Sequence, residues 1–111
     1  MMKMNGYYVT EGVLFDERKD PNNKWYSFIA YRFLDNGSVL KASKFSKDKN
    51  SVKFSFSDFK AENSALYEFR NGQLVFHLNK GKPWEEKEYL KKIGCGEFEM
   101  KNGRKIKFKS W

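Results

Sequence analysis

Ala65-Leu66-Tyr67-Glu68-Phe69-Arg70-Asn71-Gly72-Gln73-Leu74-Val75-Phe76-His77-Leu78 reads as two short strands folded back about a tight turn. Apolar and polar residues alternate on both sides of Asn71-Gly72, and alternation in a strand puts every second side chain on one face. Asn and Gly tolerate the positive φ angles that a two-residue hairpin turn requires. Folding the stretch about that turn sets Phe69 opposite Leu74, Tyr67 opposite Phe76 and Ala65 opposite Leu78. Each inward residue then meets an inward residue, so register and turn type agree.

Two further Asn-Gly pairs, Asn36-Gly37 and Asn102-Gly103, repeat the signal. At Asn102-Gly103 a two-residue loop would set Met100 against Lys105 and mix the faces. A three-residue loop with Gly103 in the left-handed region instead pairs Phe98 with Ile106, Glu99 with Lys105 and Glu97 with Lys107. Cross-strand charge pairs contribute only ~0.2–1 kcal/mol each, but they favour this register over its neighbours.

Towards the N-terminus, Tyr7 to Phe15 reads as a first strand with Tyr7, Val9, Val13 and Phe15 on one face. A polar loop over Asp16–Asn23 follows, closed by Pro21 and two asparagines. Trp25 to Leu34 is apolar at both parities, as expected of a strand buried on both faces or covered by Trp84, Tyr89 or Leu90. Beyond the turn at Asn36-Gly37, Val39 to Phe45 makes the next strand. Val52, Phe54 and Phe56 share a face opposite Lys53, Ser55 and Ser57. Residues 83–94 read two ways. Pro83 early, acids before bases and Gly94 at the end suit a short helix, whereas a strand from near Glu86, bent at Gly94 or Gly96, also fits.

Size and composition agree with this reading. With 111 residues the chain makes one domain, 1–111. Aromatic residues are 18% of the chain, and their large rings suit pleated, half-buried surfaces. Cys95 is alone, so neither an internal disulfide nor a thiolate metal cluster can form, and nothing beside it would activate the thiol. No run approaches the ~18 apolar residues that span a membrane. Met1 to Asn5 has no apolar stretch after it, so a signal peptide is not expected and a cytoplasmic location follows by default.

Tyr31-Arg32-Phe33-Leu34-Asp35-Asn36-Gly37-Ser38-Val39-Leu40 resembles a phrase of small bacterial lipocalin-like proteins of uncharacterised function, in which an aromatic strand turns at Asp/Asn-Gly and resumes with an aliphatic residue. Tyr67 to Phe76 and Lys105-Ile106-Lys107-Phe108 follow the same pattern. Gly6-Tyr7-Tyr8 resembles the Gly-x-aromatic of a lipocalin first strand, with Tyr8 where Trp is usual. The resemblance is concentrated in residues 25–78. The chain departs from secreted lipocalins in lacking paired cysteines and a helix after the last strand. What the resemblance implies is a small antiparallel up-and-down β-barrel, here of 8–9 strands with at most one short helix.

No catalytic constellation can be assembled. His77 is the only histidine, so neither a Ser-His-Asp arrangement nor a histidine metal pair is available. Asp16, Glu17, Asp20 and Asn22 lack the spacing and the glycine of a calcium loop. Glu85, Glu86 and Glu88 lie among lysines, as solvated surface acids do, and no phosphate-binding glycine loop occurs. Catalytic residues, metal and cofactor are therefore all expected to be absent.

The aromatic set offers a binding role instead. Tyr8, Trp25, Phe28, Phe33, Tyr67, Phe69 and Phe76 either fill the barrel or line a pocket for a small apolar ligand. An apolar outer face would mark a protein partner or a homodimer. The net charge of +8 admits nucleic acid or another polyanion. In Lys53 to Phe56 and Lys105 to Lys109, however, lysines and aromatics point to opposite faces, so one ligand strand would not meet both sets. The expectation is a non-catalytic binding protein for an apolar ligand in the barrel or a protein on its outer face. Non-specific binding of nucleic acid or another polyanion is the alternative.

Overall fold

In a computed structural model that describes residues 5–15, 24–50, 52–59, 65–79 and 81–111, nine antiparallel strands form one sheet. They are β1 (Gly6–Thr10), β2 (Val13–Phe15), β3 (Trp25–Phe33), β4 (Val39–Ser46), β5 (Leu66–Arg70), β6 (Gln73–Leu78), β7 (Glu86–Gly94), β8 (Glu97–Met100) and β9 (Lys105–Ser110). The Asp16–Asn23 loop, with the acids weighed as calcium ligands, and residues 1–4 lie outside the described residues.

The path is up-and-down. β5 to β9 meander in chain order, β9 pairs with β1, and β3 lies between β1 and β4. The sheet is not closed. Its outer strands β4 and β5 meet at one end only, where Ser38 bridges Leu66 and the Tyr67 N–H donates to the Gly37 carbonyl at 2.8 Å.

All three Asn-Gly turns form, in two geometries. Asn71 and Gly72 both have positive φ, 53° and 76°, as a two-residue turn requires, and Phe69 faces Leu74 while Tyr67 faces Phe76. At the other two only the glycine is left-handed, Gly37 at 89° and Gly103 at 86°. There the loops are three residues long, closed by Leu34 N–H to Ser38 O at 2.9 Å and Met100 N–H to Arg104 O at 2.7 Å. In each, the asparagine Oδ1 accepts the N–H two residues on, from Ser38 and from Arg104. The expected pairs Phe98–Ile106, Glu99–Lys105 and Glu97–Lys107 follow.

Residues 86–94 are a strand, which removes the helical alternative. It is bent by a register shift between Lys92 and Gly94. The apolar spacing explains the outcome: Leu90 reaches the core while Tyr89 and Ile93 stay exposed, so no helical stripe is buried.

The single first strand from Tyr7 to Phe15 is corrected to two. Val9 pairs with Ala30 and Val13 with Ser27, so three residues on one side oppose two on the other. The extra residue makes a bulge at Glu11-Gly12 and reverses the parity beyond it. Val13 therefore does not share a face with Tyr7 and Val9. Gly12 is required there, since a Cβ would fall 2.7 Å from the Phe28 ring and 2.9 Å from the Lys49 carbonyl oxygen.

The sheet is packed on both faces at β1 and β3. On the inner face Tyr8, Phe33, Leu74, Phe76, Leu90, Phe98 and Ile106 form the main core. On the outer face Tyr7, Val9, Phe28, Ala30 and Ala42 form a second cluster beneath Phe54 and Phe59. The cover is thus the 52–59 segment, in place of the expected Trp84, Tyr89 or Leu90. Leu90 is in the inner core, while Trp84 and Tyr89 are 62% and 49% exposed.

The 52–59 segment is itself not a strand. It ends in a 3-10 turn over Phe56–Asp58 that buries Phe54 and Phe59 and leaves Phe56 out. Ser55 donates through its N–H and its Oγ to Asp58 Oδ2, at 2.7 and 3.0 Å. Lys44 Nζ approaches the same oxygen at 2.6 Å and donates to the Lys53 carbonyl at 3.0 Å, tying the segment to β4.

The Lys44 ammonium, then the Ser55 N–H, hold the Asp58 carboxyl at about 2, below its ordinary 3.8. A carboxylate favoured by folding contributes its stabilisation above its ordinary pKa and loses it as pH falls towards the folded value. The cover should therefore be fully anchored above pH 3.8 and loosen between 3.8 and about 2. In an NMR acid titration the Ser55 amide resonance should move with a midpoint near 2. A midpoint at the ordinary value would mean that Asp58 is not held.

Candidate functional site

The residues expected to line a pocket separate into three groups. Tyr8, Phe33 and Phe76 are buried in the inner core, with Tyr67 and Phe69 packed against it. The ring of Phe33 lies 5.3 Å from Tyr8, 4.9 Å from Tyr67 and 5.6 Å from Phe76. Tyr8 meets Phe98 and Phe108 edge-on, and the Tyr67 hydroxyl donates to the Leu34 carbonyl at 2.8 Å. These are contact distances for aromatic pairs, so the rings occupy the space between the strands they come from. Phe28 lies on the other side of the sheet, in the outer cluster. Trp25 is at the surface, with Lys47 Nζ 5.1 Å from its ring centre.

Polar groups also enter the inner face. Glu88 pairs with Phe76 and so shares its side of the sheet. Burial, reinforced by Glu88 and opposed by Arg104, pushes the Tyr31 hydroxyl up to about 12, so it stays neutral. Arg104 reaches the Thr10 hydroxyl at 3.3 Å, and that oxygen also accepts the Ile29 N–H at 3.0 Å. This cross-tie joins β1, β3 and the end of the β8–β9 hairpin. His77 Nε2 lies 3.2 Å from Glu68 Oε2 while Arg70 takes the other oxygen, Oε1, and a hydrogen bond from Arg70 is the first cause that lowers the Glu68 carboxyl. Cys95 is exposed and free, and among the described residues no three metal-ligating side chains come together.

The outer face of β1 and β9 is different in kind. A groove of about 470 Å³ runs over it. Val9, Phe28 and Val52 give it apolar surface, while Lys49 and Asn50 come from the segment that packs on Gly12. Along its length stand Lys105, Lys107 and Lys109 of β9, with Glu11 and Glu97 as the acids. The lysines point outward because Ile106 and Phe108, between them, point to the core. Lys107 is shared with Glu97 at 3.5 Å. Lys49, Lys105 and Lys109 have no ion-pair partner among the described residues.

Beside the Lys109 end of the groove, aromatic rings cluster. Tyr7 pairs with Lys109, and the Trp111 ring lies 5.3 Å from Tyr7 and 5.7 Å from Phe59. Phe56 lies 5.5 Å from Trp111, and the Arg32 guanidinium sits 3.8 Å from the centre of the Phe56 ring. Phe56 and Trp111 remain 60% and 45% exposed. As expected, the lysines of β9 alternate with inward apolar residues. Their outward face nevertheless carries exposed aromatics, brought there by the 3-10 turn and by the residue after β9. Trp111 was legible in the sequence, since it continues the odd-numbered series of Lys105, Lys107 and Lys109. Phe56 was legible only through the Ser55-x-x-Asp58 capping pattern, which predicts a turn where alternation suggests a strand. Among the described residues no helix is long and apolar enough to cross a membrane. Comparison with protein-family models, with curated proteins and with solved structures finds no match to this chain.

Proposed function

We propose that this protein is a non-catalytic binding module whose site is the outer-face groove over β1 and β9, and that its ligand is an extended anionic chain. The observation that carries this is the row Lys105, Lys107 and Lys109 along one wall of the groove, with Lys49 nearby. Alternate residues of a strand are roughly 7 Å apart, so the row offers regularly spaced cations to a polymer lying along it. Four lysines against two glutamates leave the groove positive, in keeping with the net charge of +8. A small apolar ligand would instead need room on the inner face, where the rings of Tyr8, Phe33, Tyr67 and Phe76 already meet.

The test is titration with inorganic polyphosphate at several salt concentrations. Binding to a flexible polyanion should weaken steeply with salt. About three neutralised phosphates would give a log–log slope of about −2. Replacing Lys105, Lys107 and Lys109 with Gln should weaken binding at least tenfold at low salt and flatten that slope. Failure of the unaltered protein to bind polyphosphate at low ionic strength would refute the proposal.

A further inference from the structure

The aromatic cluster beside Lys109 narrows the class of anion. We infer that the ligand is single-stranded nucleic acid, with its phosphates along Lys105, Lys107 and Lys109 and a base stacked at Trp111 and Phe56; this rests on the groove being an anion site.

Charge alone does not distinguish nucleic acid from any other polyanion, but a supported aromatic surface beside the charge does. Bases have flat π faces that stack on aromatic side chains without regard to sequence, whereas polyphosphate or an acidic peptide backbone has nothing to stack. The surface here is braced from behind. Trp111 leans on Tyr7 and Phe59, which are 4% and 8% exposed and belong to the outer core. The Trp111 backbone N–H donates to the Asn5 carbonyl at 3.2 Å, which fixes the chain at this residue. A ring held in this way loses little freedom when a base settles on it, which favours binding. Arg32 adds a cation at the same place, 3.8 Å from the Phe56 ring and 5.9 Å from that of Trp111.

The placement also fits the polymer's construction. Tyr7 faces Lys109 across the β1–β9 pairing, so the platform lies beside the last lysine of the row. A phosphate on Lys109 would leave its base within reach of the rings while the backbone continues towards Lys107 and Lys105. A duplex keeps its bases stacked inside and cannot offer one without unpairing, so single strands are preferred.

The experiment compares a labelled oligothymidylate with inorganic polyphosphate of equal charge, using the full chain and its Trp111→Ala, Trp111→Phe and Phe56→Ala variants. The oligonucleotide should bind at least tenfold more tightly than polyphosphate. Trp111→Ala should abolish that advantage without changing polyphosphate affinity, and Trp111→Phe should restore most of it. Phe56 is exposed, so Phe56→Ala should fold normally and reduce the advantage even if Trp111→Ala does not fold. Equal affinity for the two polymers, or an advantage that survives both alanine substitutions, would overturn the stacking site while leaving the anion groove standing. Binding of neither polymer would overturn both.

Discussion

Phe33→Ala should lower unfolding stability by about 3–5 kcal/mol, the range for removing a buried aromatic ring. Phe33 is 2% exposed and touches the rings of Tyr8, Tyr67 and Phe76, which arrive from three other places in the sheet. No one neighbour can move in to fill the space, because each ring is held by its own strand. A domain has roughly 0.05–0.15 kcal/mol of stability per residue. Set against 111 residues, this one change would remove a large share of the total. Thermal unfolding should shift down by more than about 10 °C. Trp84→Ala is the control. Its ring is 62% exposed, and surface changes of that kind stay within roughly 0.5 kcal/mol. A loss below about 1.5 kcal/mol at Phe33 would mean that the ring borders open space, and the inner face would return as a ligand site.

Phe54→Ala should be comparably damaging, for a different reason. Phe54 is 1% exposed and lies on the outer face, 5.5 Å from Tyr7 and 5.9 Å from Phe59. Its backbone N–H donates to the Tyr7 hydroxyl at 3.3 Å. Removing the ring costs about 3–5 kcal/mol by the same account. It also loosens the cover over Tyr7, Val9, Phe28 and Ala30, so the variant should bind a hydrophobic dye under conditions where Phe33→Ala, still folded, does not. Exposed apolar patches of this kind promote association, and light scattering should rise with concentration. The groove shares Val9, Phe28 and Val52 with the covered face, so polyphosphate affinity should fall as well. An unchanged dye response and affinity would show that the 52–59 segment is not what seals this face.

How far the sequence discloses this structure depends on which residues carry the signal. The hairpins at Asn71-Gly72 and Asn102-Gly103 are legible down to register, because turn chemistry and apolar alternation give the same pairing at each, with opposed charges adding to it at Asn102-Gly103. Trp25–Phe33 is legible as a doubly buried strand, but its cover is not. The Val52-Lys53-Phe54-Ser55-Phe56-Ser57 alternation imitates a strand, and only the Ser55–Asp58 capping pattern contradicts it. The bulge at Glu11-Gly12 is hidden because Val13, Leu14 and Phe15 are all apolar, so a slip of one residue leaves the pattern unchanged. Of the ring residues expected to form one site, Tyr8, Phe33, Tyr67, Phe69 and Phe76 do converge, while Phe28 goes to the opposite face. The lysine groove was the least legible feature. Lys49 and Lys105 are distant in sequence, and only the packing of the loop on Gly12 brings Lys49 beside β9.

If ligand meets the outer face of β1 and β9, the packed inner face stays undisturbed. An NMR titration of the isotopically labelled protein with inorganic polyphosphate distinguishes the two faces. Amide shifts should be confined to Lys105, Lys107, Lys109, Val9, Gly12 and Lys49, with the methyl groups of Leu74, Leu90 and Ile106 unmoved. Shifts centred on those inner methyls, or none on the β9 lysines at saturation, would place the ligand elsewhere than on the outer face.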